Sequence, residues 1–285
     1  MLNKYCALFP LLSFLVLALD LMTSHSMVGD AVASAVPSPT AIAQSTPQQR
    51  GKLRVGVKEN LRPLGFRDQN GKLQGLEVAI ARRLALELLG DETAVELIPV
   101  KNQDRLRLLL EGQVDCLIAQ MGQNAARDRL VDFSAPYYLD SVGIVTQNPQ
   151  LTSRAAFNNA RLAVLNNSAT VGILKTEFPA AILVGVDSYQ QAKTLLDQGQ
   201  VDGFAGDNTV LTGWAQTDPA VFHLPLLLTA EPLAIAMPKG LNHAAFRQQI
   251  NQALLKLKSS GWLREQWRYW GLMVSGGEVR SDLEP

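Results

Sequence analysis

The stretch LLLEGQVDCLIA, Leu108 to Ala119, decides the fold, because it returns in altered form as LLDQGQVDGFAG, Leu195 to Gly206. Each copy reads as the end of an amphipathic helix, a glycine suited to the left-handed position that closes a helix, and then Gln-Val-Asp leading into a short buried strand. A pattern that occurs only twice is not a solenoid period. It predicts two similarly built α/β lobes.

The rest of the chain fills in such units. Leu53 to Val57, Val95 to Val100, Leu162 to Leu165, Leu183 to Val186 and Pro232 to Met237 read as short strands. Gly75 to Leu89 and Ala244 to Ser259 read as helices, with apolar residues on one side. Ser141 to Thr146 is β-branched and runs out of the first lobe. Strands alternating with helices imply mainly parallel sheets, and such sheets bind ligands at the carboxyl ends of their strands.

Composition narrows the function. The 285 residues balance 26 basic against 26 acidic side chains, which argues against a basic surface for nucleic acid or membrane. Apolar residues make up 47% and charged ones 18%, a globular balance. The opening differs: Lys4 precedes an apolar run from Cys6 to Leu19, broken by Ser13, with the form of a secretory leader. Cleavage after Ala43 is the favoured reading, Ala35 is a second site, and an uncleaved anchor is the alternative. Residues 1–43 are therefore expected to be a signal peptide and 44–50 a linker. The two cysteines are Cys6 in the leader and Cys116 in the body, so the exported body holds no disulfide, and Cys116 is expected to be a buried apolar residue. No spacing of His, Cys or carboxylates suggests a metal, and no phosphate-binding or nucleophile motif appears. We expect no cofactor, no metal and no catalytic residue.

The order of segments carries more. KLRVGV, RPLGFRDQNGKLQGLEVAIA, GQVDCLIA, an arginine before VDFSAPYY, EPLAIAMPKG and a terminal GWLREQWRYWG together resemble the periplasmic amino-acid-binding proteins of ABC importers. The resemblance implies the two-lobed type II periplasmic-binding-protein-like fold, α/β with two hinge strands. It places the first lobe in 51–144 and 233–275, the second in 145–232, and a polar tail in 276–285. It further implies a monomer in the periplasm that delivers an amino acid to ABC permease subunits.

The same resemblance assigns a site. Arg127 stands where the family holds the ligand's α-carboxylate, and a guanidinium fork suits a carboxylate through two parallel charge-assisted hydrogen bonds. Asp207 stands where the family meets the ammonium, with the N-cap of the following helix as the alternative reading. Gln120, Gly122, Ser168 and Ala169 occupy the cradle, but the hydroxyls usual before the arginine are missing and Asn166-Asn167-Ser168-Ala169 lacks the usual glycine. Lys58, Leu61 and Asn102 occupy side-chain positions where an acid and aromatics are common. Lys58 would repel a cationic side chain, so the expected ligand is polar neutral or acidic; a solvent-facing Lys58 is the alternative. An exported prephenate-type dehydratase, with Glu77 or Glu59 as general acid, and a ligand-sensing module are the competing functions.

Overall fold

The computed structural model describes residues 45–224 and 228–272, so the leader, both cleavage sites and the polar tail lie outside the described residues. The first elements are α1 (Pro47–Arg50), β1 (Leu53–Val57), β2 (Asn60–Leu61), β3 (Gly65–Arg67), β4 (Leu73–Gln74), α2 (Leu76–Leu89), β5 (Val95–Pro99), α3 (Arg105–Leu110), β6 (Cys116–Ile118), α4 (Ala125–Asp128) and β7 (Val131–Asp140). Then come β8 (Val142–Thr146), β9 (Arg161–Leu165), α5 (Thr170–Glu177), β10 (Ile182–Val186), α6 (Tyr189–Asp197), β11 (Gly203–Asp207), α7 (Asn208–Thr217) and β12 (Phe222–Leu224). The chain returns through β13 (Glu231–Pro238), α8 (Ala244–Ser259) and α9 (Trp262–Tyr269).

Strands β2, β3 and β4 form a small sheet of their own, and the other ten form two five-stranded sheets with the same design, ordered β5-β1-β6-β13-β7 and β10-β9-β11-β8-β12. Three parallel strands lead each sheet and two antiparallel strands finish it. The fourth strand of each sheet is supplied by the chain arriving from the other one: β8 follows β7 across, and β13 comes back after β12. The repeated motif marks equivalent places, since β6 and β11 are the third strands, and Gly112 and Gly199 both take positive φ, 69° and 65°, between helix and strand. Only a residue without a Cβ takes that conformation cheaply.

The two crossings run through β8 and β13, the stretches read as hinge strands near Ser141–Gln147 and Glu231–Met237: all of β8 pairs in the second sheet, and β13 pairs with β7 from Glu231 onward. Apolar strands placed on either side of a junction carry no sign of which sheet they join. The expected linker differs. Thr46 and Gln49 form a capping box that starts α1. Arg50 then pairs with Asp115 at 2.5 Å, and Asp115 also accepts the Arg54 backbone N–H at 2.8 Å. The linker is thus pinned to the first lobe.

Each lobe buries its own core. Val55, Leu84, Ile118, Ile235 and Leu254 are fully or nearly fully buried in the first, while Val145, Phe204 and Leu211 fill the second. Each such aliphatic side chain contributes about 1.5–3 kcal/mol relative to exposure. Cys116 is buried with them. The terminal tryptophans pack onto the first lobe, where Trp267 meets Tyr138 edge-on at 5.9 Å and Trp270 meets Phe66 at 5.8 Å.

Among the described residues no helix is long and apolar enough to cross a membrane.

Candidate functional site

The parallel strands deliver the site at their carboxyl ends. Lys58 follows β1, Asn102 follows β5 and Gln120 follows β6, so three neighbouring strands bring these side chains to one edge of the first sheet. Asp207 ends β11 of the second sheet. Gln120 Nε2 donates to Asp207 Oδ2 at 3.1 Å, which joins the two lobes at this point.

Gln120 is held in an unusual posture. Its φ is 51°, a left-handed value uncommon outside glycine. Glu77, in the first turn of α2, accepts the Gln120 backbone N–H at 2.6 Å and the Tyr137 hydroxyl at 2.6 Å. From the other side Arg105 donates to the Ala119 carbonyl at 2.5 Å and the Gln120 carbonyl at 3.2 Å. A buried acid and a buried base therefore clamp the turn between them. Burial raises the pKa of Glu77, against the hydrogen bonds from Tyr137 and Gln120 and the charge of Arg105.

Arg127 sits on α4, a single turn capped by Asn124, whose Oδ1 accepts the Arg127 N–H at 3.0 Å. Its guanidinium folds back to donate to the Gly122 carbonyl at 2.5 Å, and Gly122 itself bridges to Leu233 of β13. The surface ion pair that an arginine commonly makes is not formed: among the described residues no carboxylate lies within 4.0 Å of this guanidinium. Instead it lies near enough to Arg105 that, after burial, its charge is the main influence lowering the Arg105 pKa. Two guanidinium groups converging beside a cleft favour an anion there. Arg129 is exposed.

Asp207 stands at the N-cap of α7 but makes no capping hydrogen bond. Asp140, the last residue of β7, does that work. It accepts the Thr209 hydroxyl at 2.5 Å, the Thr209 N–H at 3.2 Å and the Ser141 N–H at 2.8 Å. The carboxylate of Asp207 is thereby left free to face the first lobe. Burial pushes its pKa up to about 7, with the charges of Asp140 and Glu231 adding to the effect. Asp140 rises less, to about 6, because its hydrogen bonds from Thr209 and Ser141 oppose burial.

The other expected site residues separate. Lys58 is 7% exposed, and its Nζ donates to Asn102 Oδ1 at 3.2 Å, so it does not point to solvent. Leu61 packs against the first-lobe core. The Ser168 hydroxyl donates back to the Leu165 carbonyl at 2.8 Å, and Ala169 opens α5. Asn167, at φ 59°, supplies the left-handed turn in the loop that lacks a glycine. Among the described residues neither Ser168 nor Ala169 has a hydrogen bond to the Gln120–Asp207 pair. Of the two candidate general acids, Glu59 is paired with Arg67 at 2.8 Å on the surface, and Glu77 lies fully buried beneath Gln120.

Arg105 and Asp140 were not singled out in the sequence. Arg105 had a readable signal, since it shares the buried face of α3 with Leu109 four residues on, and a cation on an apolar face needs a reason. Asp140 had none, because its partners Ser141 and Thr209 come together only when the crossing strands meet α7.

Two lobes of matched topology, joined by crossing strands, define a binding protein that takes a small solute between them. Residues 53–273 match the model of the bacterial extracellular solute-binding proteins, family 3, and the chain belongs to that family. It is 28% identical over 222 residues to the ABC transporter glutamine-binding protein of Bacillus subtilis (strain 168), covering 77% of this chain and 81% of the relative. It is 30% identical over 195 residues to the glutamine-binding protein of Geobacillus stearothermophilus, covering 67% of this chain and 74% of the relative. Among solved structures, the solute receptor for L-cysteine of Neisseria gonorrhoeae superposes with a TM-score of 0.62 at 28% identity, over 82% of this chain and 95% of that one. The fold is the type II periplasmic-binding-protein fold, and these relatives are binding proteins rather than enzymes.

Proposed function

We propose that this protein captures a free amino acid, polar neutral or acidic, between its lobes in the periplasm and hands it to the permease of an ABC transporter. The observation that carries the reading is the release of Asp207 from helix capping, which leaves a carboxylate on one lobe facing the Gln120 turn, with the unpaired guanidinium of Arg127 beside that turn on the other. An α-ammonium at Asp207 and an α-carboxylate at Arg127 would hold the lobes together through the ligand. The relatives named for glutamine support a ligand of this class. Lys58 disfavours a cationic side chain. Closure is then a population shift, because only the closed state gains contacts from both lobes.

A micromolar Kd corresponds to about 8 kcal/mol, within reach of two charge-assisted contacts and cleft burial after ordering costs. Calorimetric titration with the twenty common amino acids should give binding by at least one of them, whereas its α-keto analogue, which lacks the ammonium, should not bind. An absence of heat with all twenty would refute the proposal.

The raised pKa of Asp207 sets the pH dependence. With its pKa about 7, the carboxyl group is protonated below that pH and must lose its proton to receive an ammonium. Affinity should be steady above about pH 7 and fall by up to about tenfold per unit below it, with proton release on binding. A titration series across that range checks this, and a flat profile below neutrality would contradict the assignment of Asp207.

A further inference from the structure

Lys58 forms no contact ion pair; the charges of Glu77 and Glu59 reach it only from beyond 4.0 Å. It is 7% exposed, an ammonium carries three donors, and the acceptor it reaches is the neutral amide oxygen of Asn102 at 3.2 Å. Among the described residues no carboxylate lies within 4.0 Å of it. The adjacent Glu59 is paired with Arg67, while one oxygen of Glu77 already accepts from Tyr137 and from the Gln120 backbone. A charge taken out of water without a partner is costly, and such a group is ordinarily found paired.

We propose that Lys58, steadied by Asn102, receives the side-chain carboxylate of an acidic amino acid. The inference rests on reading the cleft as an amino-acid site and narrows its ligand to one with an anionic side chain.

The charges around the cleft lead to this choice. The α-carboxylate and α-ammonium of any amino acid would pair with Arg127 and Asp207 and leave no net charge. Asp140 and Glu231 act at Asp207, whereas around Lys58 itself Glu59 is committed to Arg67 and Lys58 and Arg105 stand against Glu77, so the neighbourhood of Lys58 retains one unmatched positive charge. An anionic side chain neutralises it, a neutral one leaves it, and a cationic one doubles it. Burial lowers the pKa of Lys58 and the charge of Arg105 lowers it further, against the charges of Glu77 and Glu59. With its Oδ1 occupied by Lys58, Asn102 retains the two Nδ2 hydrogens to donate to the same carboxylate. Both residues follow adjacent parallel strands, which fixes them side by side.

The test is calorimetry on the purified protein near pH 8 with L-glutamate, L-aspartate, L-glutamine, L-asparagine, L-lysine and L-arginine. An acid should bind at least about tenfold more tightly than its amide, which has nearly the same shape but lacks the charge and offers Lys58 an NH2 donor in place of one acceptor oxygen. Lys58→Met should bring that ratio close to one, whereas Lys58→Arg, which keeps the charge, should retain the preference. Thermal melts of both variants report whether they fold; if Lys58→Met does not, the wild-type ratio together with Lys58→Arg decides. Equal or tighter binding of an amide or a cationic amino acid would overturn the inference while leaving the amino-acid reading intact, as would a preference unchanged in Lys58→Met. No binding by any of the twenty amino acids would overturn both.

Discussion

Asp207→Asn should weaken ligand binding by at least about thirtyfold while leaving the protein folded. The substitution keeps the shape of the side chain and its place at the start of α7, and α7 does not depend on it for capping because Asp140 bonds the Thr209 hydroxyl and N–H. What disappears is the second-lobe carboxylate that accepts from Gln120. An ammonium bound there would lose its counter-charge in a largely desolvated position, and truncating one partner of a buried charge pair costs about 2–5 kcal/mol. Calorimetry on wild type and variant measures the loss. Arg127→Gln should cost a similar amount from the other lobe, and the double variant should lose less than the sum, because both residues act through the same closed complex. A loss of less than about fivefold for Asp207→Asn would remove this residue from the site.

Gly213→Ala should weaken binding without touching the ligand at all. Gly213 lies in α7 of the second lobe, and a Cβ built there would come 2.1 Å from the Arg62 carbonyl oxygen of the first lobe. Close by, Gln216 Nε2 donates to the Trp270 carbonyl at 2.7 Å, so this stretch of α7 forms a second contact between the lobes. A methyl group in that gap forces the backbones apart, and overpacking of this kind costs about 1–3 kcal/mol. The cost falls on the closed state alone. In an open molecule alanine is the better helix former by about 1 kcal/mol, so the variant should melt no lower than wild type in the absence of ligand. Apparent affinity scales with the closed fraction, which predicts a five- to hundredfold loss, about what the overpacking cost implies. Small-angle scattering in saturating ligand should show a larger radius of gyration than wild type. Unchanged affinity and an unchanged radius would mean that this contact plays no part in closure.

The fold was legible because its signals are local. The Gly112 and Gly199 turns, the alternation of apolar helix faces with short apolar strands, and the break before each crossing are all written within a few residues. The repeated Gln-Val-Asp segment then ties the two sheets to one design. Long-range choices were less legible. Nothing within Val142 to Thr146 says that it joins the second sheet, since a fully buried strand suits either. The tethering of residues 45–50 depends on Asp115, far along the chain.

The site divides in the same way. Arg127, Asp207 and Lys58 could be named because the family resemblance places ligand contacts at their positions, whereas their states depend on partners brought by other segments. Asp207 is free because Asp140 arrives at α7 with the crossing strand. The cradle loop shows the converse: Ser168 kept its hydroxyl in the sequence, yet folding directs it onto its own Leu165 carbonyl. Arg105 shows how a cation hidden on an amphipathic face can set the electrostatics of a cleft it does not line.

A crystal structure of the protein with its amino acid bound tests the central claim most directly. The α-carboxylate should lie within about 3 Å of the Arg127 guanidinium and the α-ammonium within about 3 Å of Asp207, with Gln120 displaced from that carboxylate or sharing it. A ligand held at both ends by a single lobe, or one that leaves Arg127 and Asp207 facing away from it, would contradict the account.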